Sequence, residues 1–247
     1  MTGPVESKLL EEIRDRSCIH LALIDPEKFS ENLPRIIKGL ENHGTSAIMV
    51  GGSTVSSSTQ LDKTVKTVRD SSSLPVILFP NGTAGISRFA QAIFFMSLLN
   101  SSSTRYLIGA QVLGAPAVRR FNLEPIPLGY IVVGESKTAV STVGRVKTVP
   151  FSEADIATSY ALAAQYLGMR FVYLEAGSGA KRSVDPQMVS KISAKIDIPI
   201  IVGGGIRTPG QAARLARAGA SIIVTGTVLE QKGPAQVTRI LAAIKRA

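Results

Sequence analysis

Short apolar runs rich in β-branched residues recur along the chain and are separated by longer amphipathic stretches. An apolar run of about four to eight residues between turn-forming residues is typical of a buried strand, whereas apolar positions three or four residues apart are typical of a helix. The pattern predicts strands over residues 19–24, 47–50, 76–79, 106–108, 130–133, 171–174, 198–202 and 221–224. It predicts helices over residues 155–167, 186–196, 210–218 and 235–244, with Ser152, Asp185 and Thr208 as candidate caps.

This alternation of strands and helices indicates a parallel sheet, and eight such units in one chain favour a closed barrel over an open sheet. We therefore predict an α/β fold, a (β/α)8 TIM barrel formed by residues 1–247 as a single domain. Residues 81–127 are the least regular part, so we expect one barrel helix to be modified or replaced there. Within them, residues 89–99 are apolar on more than one side and predict either a core element or the lining of an apolar groove.

The composition supports a globular protein, because 45% of the residues are hydrophobic and 19% are charged. A single cysteine, Cys18, excludes an internal disulfide and indicates a reducing compartment, so we expect a cytoplasmic location. Residues 1–16 lack the apolar core of a signal peptide. The longest strongly apolar stretch, residues 92–99, is far shorter than the ~18 residues that a membrane-spanning helix requires.

A net charge of +10 indicates an acidic partner, which could be nucleic acid, an anionic membrane or a phosphorylated substrate. Nucleic-acid binding is disfavoured because the basic residues are scattered, aromatic residues are only 5% and tryptophan is absent. Small phosphorylated molecules are therefore the favoured partners.

Glycines follow the last two predicted strands, in the segments Gly203-Gly204-Gly205 and Gly226-Thr227. Glycine lets the backbone approach a ligand closely, and amides at the start of a following helix can bind an anion. Phosphate binds at this position in many barrels. Tight turns are the alternative explanation, and a dinucleotide site is disfavoured because the motif lacks the last glycine of the usual fingerprint.

The predicted sixth strand leads directly into a second glycine-rich loop, Glu175-Ala176-Gly177-Ser178-Gly179. Glu175 is expected at the rim of the barrel, where a carboxylate can act as a general base. The loop residues could surround a phosphorylated ligand, and Tyr173 could donate a hydrogen bond to it. The alternative role for Glu175 is a rim ion pair with a lysine or arginine.

Two further rim residues, Asp25 and Ser53, follow the first two predicted strands. A carboxylate beside a hydroxyl could bind Mg²⁺ together with phosphate oxygens, whereas a turn at Asp25 and a helix cap at Ser53 are the structural alternatives. His20 and His43 are interpreted as structural, and with Cys18 placed in the first strand no thiol or serine triad is expected. Metal-assisted or carboxylate-based chemistry remains.

Taken together, several segments resemble the geranylgeranylglyceryl phosphate synthase family of archaea, which is related to bacterial heptaprenylglyceryl phosphate synthases. The resemblance extends over about residues 19–230 and is carried by residues 20–27 (HLALIDPE), 51–54 (GGST), 94–101 (FFMSLLNS), 173–179 (YLEAGSG) and 202–207 (VGGGIR). The glycine-rich loops alone would fit many phosphate-binding barrels, but the five motifs in this order are specific.

The resemblance implies a prenyltransferase of membrane lipid biosynthesis that joins the 3-hydroxyl of sn-glycerol 1-phosphate to geranylgeranyl diphosphate and releases diphosphate. It implies Mg²⁺ bound by Asp25 and Ser53, with Glu175 as the catalytic base. The glycerol phosphate site would comprise Tyr173, Leu174, Glu175, Ala176, Gly177, Ser178, Gly179, Gly203, Gly204, Gly205, Gly226 and Thr227. It also implies a homo-oligomer, a dimer or a hexamer. A lipid product is compatible with peripheral membrane contact, although no amphipathic anchor stands out.

The chain departs from the family pattern at two places. Gln91 replaces an aspartate, which would affect diphosphate or metal contacts, and Gly134-Glu135-Ser136 replaces a Glu-Pro-Gly loop. Two alternative functions remain at this point: another phosphate-binding barrel enzyme, such as an isomerase or synthase, and a basic nucleic-acid-binding protein. A long apolar groove beside the phosphate site would distinguish prenyl transfer from the first, and salt-sensitive retention of DNA or RNA without turnover would favour the second.

Overall fold

A computed structural model describes residues 2–28, 32–52, 57–134 and 139–247. Eight parallel strands form a closed barrel in sequential order, and the last strand pairs with the first. The strands are β1 (Ile19–Ile24), β2 (Ala47–Gly51), β3 (Val76–Phe79), β4 (Ala92–Leu98), β5 (Glu124–Val132), β6 (Phe171–Glu175), β7 (Ile200–Gly203) and β8 (Ile222–Thr225). The predicted TIM barrel is therefore confirmed.

The helices that follow β1 surround the barrel, and one further helix, α1, comes before β1 in the chain. They are α1 (Pro4–Arg16), α2 (Leu33–His43), α3 (Ser58–Ser71), α4 (Ala110–Arg120), α5 (Ala139–Val143), α6 (Ala154–Tyr166), α7 (Pro186–Ser193), α8 (Pro209–Arg217) and α9 (Thr227–Ile244). Between β3 and β4 the chain forms only a single 3-10 turn, Thr83–Gly85. The predicted replacement of one barrel helix in the middle of the chain is thus confirmed.

The prediction of a strand over residues 106–108 is wrong. These residues lie in a π-helical turn, Arg105–Gly109, that leads into α4, and the fourth strand is β4. In β4, Phe94 faces the barrel interior and Phe95 packs on the other side of the sheet, so both faces of the strand are apolar. Such a run lacks the alternation of apolar and polar residues that would distinguish a strand from a helix.

Most other predicted boundaries agree within a few residues. Asp185 and Thr208 cap α7 and α8 as predicted, whereas the position before α6 is occupied by Glu153 rather than Ser152, and the Glu153 side chain makes no capping hydrogen bond. The prediction for residues 235–244 captured only the second half of α9, because Gly233 breaks the helical backbone within it.

Side chains alternate between two apolar clusters. Inward-facing residues such as Leu21, Leu128 and Phe171 fill the barrel, and outward-facing residues such as Ala22 and Val172 pack against the helices. This two-sided burial explains why the strands are continuous apolar runs. No helix in the described part of the chain combines the length and apolar character that crossing a bilayer requires.

The structural roles predicted for the histidines fit the fold. His20 is buried with its ring nitrogens 3.0 Å and 2.8 Å from the hydroxyls of Thr45 and Thr225, and desolvation lowers the pKa of His20 to about 3. His43 is the last residue of α2 and is followed by a left-handed cap at Gly44. Cys18 directly precedes β1 instead of lying inside it, and burial raises its thiol pKa to about 12, so the thiol is not a nucleophile.

Helix α1 covers the end of the barrel opposite the carboxyl ends of the strands, where Val5 and Leu9 pack onto the inner core. The carboxylate of Glu124, the first residue of β5, accepts hydrogen bonds from the backbone N–H groups of Val5 and Glu6, each at 2.8 Å. A carboxylate at a helix N-terminus satisfies free amides and interacts favourably with the helix dipole.

Replacing Glu124 with alanine is therefore expected to lower the free energy of unfolding by about 1–2 kcal/mol without changing catalysis. Urea denaturation of purified protein would measure the change. Glu11→Ala, which removes an exposed carboxylate from the same helix, is the control. Equal stability of the Glu124 and Glu11 variants would contradict the capping role.

Candidate active site

The carboxyl ends of the strands meet at one rim, where a polar pocket of about 90 Å³ opens. Residues from widely separated parts of the chain line it together. The predicted site residues among them are Asp25, Tyr173, Glu175, Ser178, Gly179, Gly204, Gly205, Gly226 and Thr227. The structure thus brings most of the predicted site residues into one pocket.

Other predicted site residues occupy different positions. Leu174 and Ala176 belong to the outer core between the barrel and the helices, because alternate residues of a strand point to opposite faces. Their side chains therefore do not line the pocket, and their part in binding glycerol phosphate stays a prediction. Gly203 packs directly against the hydroxyl of Tyr173. Ser53 lies outside the described residues.

The carboxylate of Glu175 is held in a fixed orientation in the pocket wall and is only 6% exposed. Its Oε1 accepts a hydrogen bond from the backbone N–H of Gly177 at 2.6 Å, and its Oε2 accepts one from the Tyr130 hydroxyl at 3.2 Å. None of the salt bridges among the described residues includes Glu175, so the alternative of a rim ion pair is not observed.

Desolvation raises the pKa of Glu175, and the hydrogen bonds from Gly177, Tyr130 and Tyr173 offset part of this rise. Burial, followed by the charge of Glu175, raises the pKa of Tyr130 and of Tyr173 well above 10. Both phenols are therefore neutral hydrogen-bond donors. A buried carboxylate with a raised pKa is a stronger proton acceptor than an exposed one once it is ionised.

Three aromatic rings form the floor beneath this carboxylate. The ring centroids of Tyr130 and Tyr173 are 5.0 Å apart, and Phe79 lies 5.7 Å from Tyr130 and 5.5 Å from Tyr173. The rings come from β3, β5 and β6, so the barrel interior fixes them from three directions. This packing orients both hydroxyls and excludes solvent from below the pocket.

The glycine-rich loops provide backbone groups suited to an anion. Helix α9 starts at Thr227, and its N-cap residue Gly226 makes no side-chain cap, whereas the N-terminus of α8 is closed by a capping box between Thr208 and Gln211. Gly226 and Thr227 line the pocket, so the first turn of α9 is directed at it. Uncapped amides at a helix N-terminus are a favourable environment for phosphate.

The conformation of the loop after β7 requires glycine. Gly204 and Gly205 have φ angles of 82° and 68°, and a Cβ on Gly204 would lie only 2.5 Å from Oε1 of Glu175. The loop after β6 is tied to its neighbours, since Ser178 and Thr227 hydroxyls lie 3.4 Å apart. The three loops therefore form one cradle beside the Glu175 carboxylate.

Asp25 lies across the pocket and is only 6% exposed. Its Oδ1 accepts a hydrogen bond from the Glu27 N–H at 3.1 Å, which is the predicted turn, and its Oδ2 lies 3.4 Å from Nζ of Lys28. Burial opposes the charge of Lys28, but the hydrogen bond and charge of Glu230, together with Asp25, raise the Lys28 pKa. Charged groups of both signs thus face the same pocket.

A largely apolar groove of about 210 Å³ adjoins this pocket. Gly52, Phe79, Tyr130 and Val140 line both cavities, so the two are continuous. The groove runs between β4 and α4, and its other lining includes Ile86, Phe94, Phe95, Met96, Leu98, Tyr106, Ala110, Gly114 and Val118. Both alternatives for residues 89–99 are thus observed, because β4 is a core strand that also lines the groove.

The described residues contain no group of three or more His, Cys, Asp or Glu side chains that could hold a metal by themselves. The pocket nevertheless fits Mg²⁺ bound jointly with a substrate, because such sites use one or two carboxylates plus phosphate oxygens. Asp25 supplies a buried carboxylate beside the cradle. A closed structural metal site does not fit this donor set.

Gln91 cannot affect diphosphate or metal contacts directly. It precedes β4 at the amino end of the barrel, where its Oε1 accepts a hydrogen bond from the Val76 N–H at 2.9 Å. That end is opposite the pocket, which corrects the expectation. Of the second departure from the family pattern, Gly134 hydrogen-bonds to Val149, whereas Glu135 and Ser136 lie outside the described residues.

Sequence reasoning missed several pocket residues, among them Tyr130, Lys28 and Arg207. Tyr130 begins the predicted fifth strand, and the alternation of inward-facing residues could have shown that it shares the barrel interior with Tyr173. Lys28 is three residues beyond Asp25, which places it at the same rim. Arg207 lines the pocket and donates to the carbonyl of Gly179 at 2.9 Å, joining the loops after β6 and β7.

Comparison with known proteins agrees with this geometry. The chain is 51% identical to geranylgeranylglyceryl phosphate synthase of Pyrococcus abyssi over 246 residues, which cover 99% of this chain and 97% of the relative. It is 50% identical to the synthase of Methanopyrus kandleri over 234 residues, covering 94% and 97%.

A crystal structure of (S)-3-O-geranylgeranylglyceryl phosphate synthase from Thermoplasma acidophilum, in complex with sn-glycerol-1-phosphate, superposes with a TM-score of 0.94. The two chains are 42% identical, and each is covered completely. The sequence profile of the PcrB family matches residues 10–246. The chain therefore belongs to the PcrB family.

Proposed function

We propose that this protein transfers the geranylgeranyl group of geranylgeranyl diphosphate to the 3-hydroxyl of sn-glycerol 1-phosphate, as in archaeal membrane lipid biosynthesis. The observation that carries the proposal is an apolar groove that is continuous with a glycine-rich anion cradle at a buried carboxylate. A phosphate-binding isomerase or synthase of small polar metabolites has no use for such a groove. A nucleic-acid-binding protein needs neither the groove nor the carboxylate.

In this proposal the phosphate of sn-glycerol 1-phosphate binds to the loops after β6, β7 and β8. The uncapped start of α9 and the loop at Gly204 supply backbone N–H groups, and Arg207 adds positive charge at the edge of the pocket. The glycerol part then extends towards Glu175 and Tyr173. The synthase of Thermoplasma acidophilum, which is 42% identical and was crystallised with sn-glycerol-1-phosphate, supports the choice of substrate.

The chemistry begins with removal of the proton from the 3-hydroxyl by the Glu175 carboxylate. The hydroxyl oxygen forms a bond to C1 of the prenyl chain, the bond between C1 and the diphosphate oxygen breaks, and its electron pair leaves with diphosphate. Gly177 and Tyr130 keep the carboxylate in position throughout. The aromatic floor and the groove walls keep water away from the electrophilic carbon.

We also propose that Asp25 and Ser53 bind Mg²⁺ as the cofactor. When bound, the ion would neutralise negative charge on the departing diphosphate. Lys28, which lies 3.4 Å from Asp25, adds a positive charge at the same edge. Two anionic substrates are complementary to a protein with a net charge of +10. A cytoplasmic location and a homo-oligomeric state are further predictions.

Asp25→Asn is expected to raise the Mg²⁺ concentration needed for half-maximal activity by about tenfold or more, because a neutral amide is a weaker ligand than a carboxylate. Titrating Mg²⁺ into metal-free enzyme would measure the shift. Asp70→Asn, which alters an exposed aspartate of α3, is the control. An unchanged Mg²⁺ requirement would remove Asp25 as a ligand.

A larger side chain in the groove should slow the turnover of long prenyl donors more than that of short ones. Gly114 lines the groove, and a Cβ there would already lie 3.1 Å from Cδ1 of Ile86. Gly114→Phe is therefore expected to slow turnover of geranylgeranyl diphosphate by about tenfold or more and that of geranyl diphosphate much less. Ala115→Phe, an exposed change on the same helix, should leave both rates unchanged.

The direct test incubates purified protein with Mg²⁺, labelled geranylgeranyl diphosphate and either enantiomer of glycerol phosphate, and then measures label in an organic extract. The expected result is a prenylated product with sn-glycerol 1-phosphate and little with the other enantiomer. Absence of product with sn-glycerol 1-phosphate would reject the proposed function.

A further inference from the structure

Helix α4 is apolar on two opposite faces, and among the described residues other parts of the protein cover one of them and leave the other exposed. Its inner face lines the groove through Ala110, Gly114 and Val118. Its outer face, continued from the preceding π-helical turn, consists of Ile108, Val112 and Leu113, which are 59%, 62% and 66% exposed. We call these three residues the outer apolar face. A helix with apolar residues on both sides normally has a partner on each.

The outer apolar face is next to the rim of the groove. Val143, at the end of α5, lines the groove and is itself 64% exposed. The segment after α5 is joined to the segment before the π-helical turn, because the N–H of Ser102 donates to the Arg145 carbonyl at 3.0 Å. The groove therefore reaches the exterior at Val143, on a segment that is hydrogen-bonded to the one preceding the outer apolar face.

The charged residues of the chain segment that carries this surface are almost all positive. Residues 71–123 contain no aspartate or glutamate, and residues 71–152 contain seven basic and two acidic residues, which supply half of the net charge of +10. Arg105, Arg119, Arg120, Arg145 and Lys147 are all exposed. Among the described residues, none of these five forms a salt bridge.

This charge pattern distinguishes between candidate partners. A second copy of the chain meeting the same face would place arginines against arginines, which is unfavourable in a symmetric interface. An anionic lipid surface is complementary, because it accepts aliphatic side chains at the acyl boundary and attracts basic residues around them. Such a surface also dissolves prenyl chains.

We propose that the outer apolar face docks the protein on an anionic lipid bilayer, so that the prenyl substrate and the product pass between the bilayer and the groove at the rim near Val143. This inference rests on the proposed function for its purpose. The docking itself is a property of the surface and can be measured without any substrate.

The experiment is co-sedimentation of the full-length protein with vesicles of phosphatidylcholine containing about one third phosphatidylglycerol, in comparison with pure phosphatidylcholine. We expect binding to the anionic vesicles that weakens as salt is added. The triple variant Ile108→Ser, Val112→Ser, Leu113→Ser should bind about tenfold or more weakly. The control Tyr166→Ser, Leu167→Ser alters residues at the end of α6 that are 79% and 72% exposed, and it should bind like the unaltered protein.

Three binding results would overturn the proposal: no binding of the unaltered protein to anionic vesicles, equal binding by the triple variant, or equal loss of binding in the control. A smaller subunit number for the triple variant, measured by light scattering, would also overturn it, since a second copy would then cover the face. Turnover of detergent-dispersed donor should be unchanged in the triple variant. Vesicle binding without product formation would reject the proposed function and leave the docking surface intact.

Discussion

Replacing Glu175 with glutamine is expected to lower kcat by about three orders of magnitude and to change KM for glycerol phosphate by no more than about twofold. Glutamine retains the shape of the side chain and can still accept the Gly177 hydrogen bond, but it cannot take a proton from the substrate hydroxyl. Steady-state rates at saturating prenyl donor would separate kcat from KM. Because the pKa of Glu175 is raised, activity of the unaltered enzyme should also fall on acidification sooner than for an ordinary carboxyl.

The stability of this variant provides the control for folding. When the pKa of a carboxyl is higher in the folded state than in the unfolded state, the protein loses stability as the pH rises from the unfolded-state pKa to the folded-state pKa. Above its folded pKa the ionised Glu175 therefore destabilises the fold, and Glu175→Gln should melt there at an equal or higher temperature. Glu153→Gln, at an exposed glutamate, should change neither rate nor stability. Normal turnover of Glu175→Gln would remove this residue as the base.

Gly204→Ala is expected to reduce turnover by about a hundredfold or more, because it disturbs the base and the anion cradle together. The added methyl group would lie 2.5 Å from Oε1 of Glu175 and 2.6 Å from the backbone nitrogen of Gly177. In addition, alanine is strained at a φ angle of 82°. KM for glycerol phosphate should rise at the same time, which distinguishes this variant from Glu175→Gln.

The matched control is Gly210→Ala at the start of α8. A Cβ there would meet nothing nearer than Nη1 of Arg214 at 3.7 Å, and its backbone is compatible with alanine. This variant should keep its activity and its glycerol phosphate affinity. If Gly204→Ala also kept both, the loop after β7 would not be part of the phosphate site.

The sequence by itself determined the number and type of most elements. Parallel strands buried on both faces must be apolar along their whole length, so seven of the eight could be found from the positions of the apolar runs. The exception was β4, since an apolar run does not by itself separate strand from helix. The sequence also did not predict that residues 106–108 are helical. They lead into α4, which lines the groove, and such tertiary packing overrides the local preference of an apolar run for a strand.

The residues that follow strands could be assigned to one rim from the sequence, because the carboxyl ends of parallel strands share an edge. Asp25, Glu175 and Gly204 were placed together for this reason. Leu174 and Ala176 were placed in the site only by the family resemblance, and their side chains pack against the helices, because the order of residues in a motif does not state which side chains face the pocket. For Gln91, the family pattern suggested a site contact that the barrel geometry excludes.

Only the tertiary structure decided how the site residues interact. The hydrogen bond from Tyr130 to Glu175 joins residues 45 positions apart, and the pocket and the groove share walls from different strands. Burial by these distant residues, and not any local motif, raises the Glu175 pKa. Local sequence fixes which elements form and where they end, whereas solvent exclusion and long-range contacts depend on packing in three dimensions.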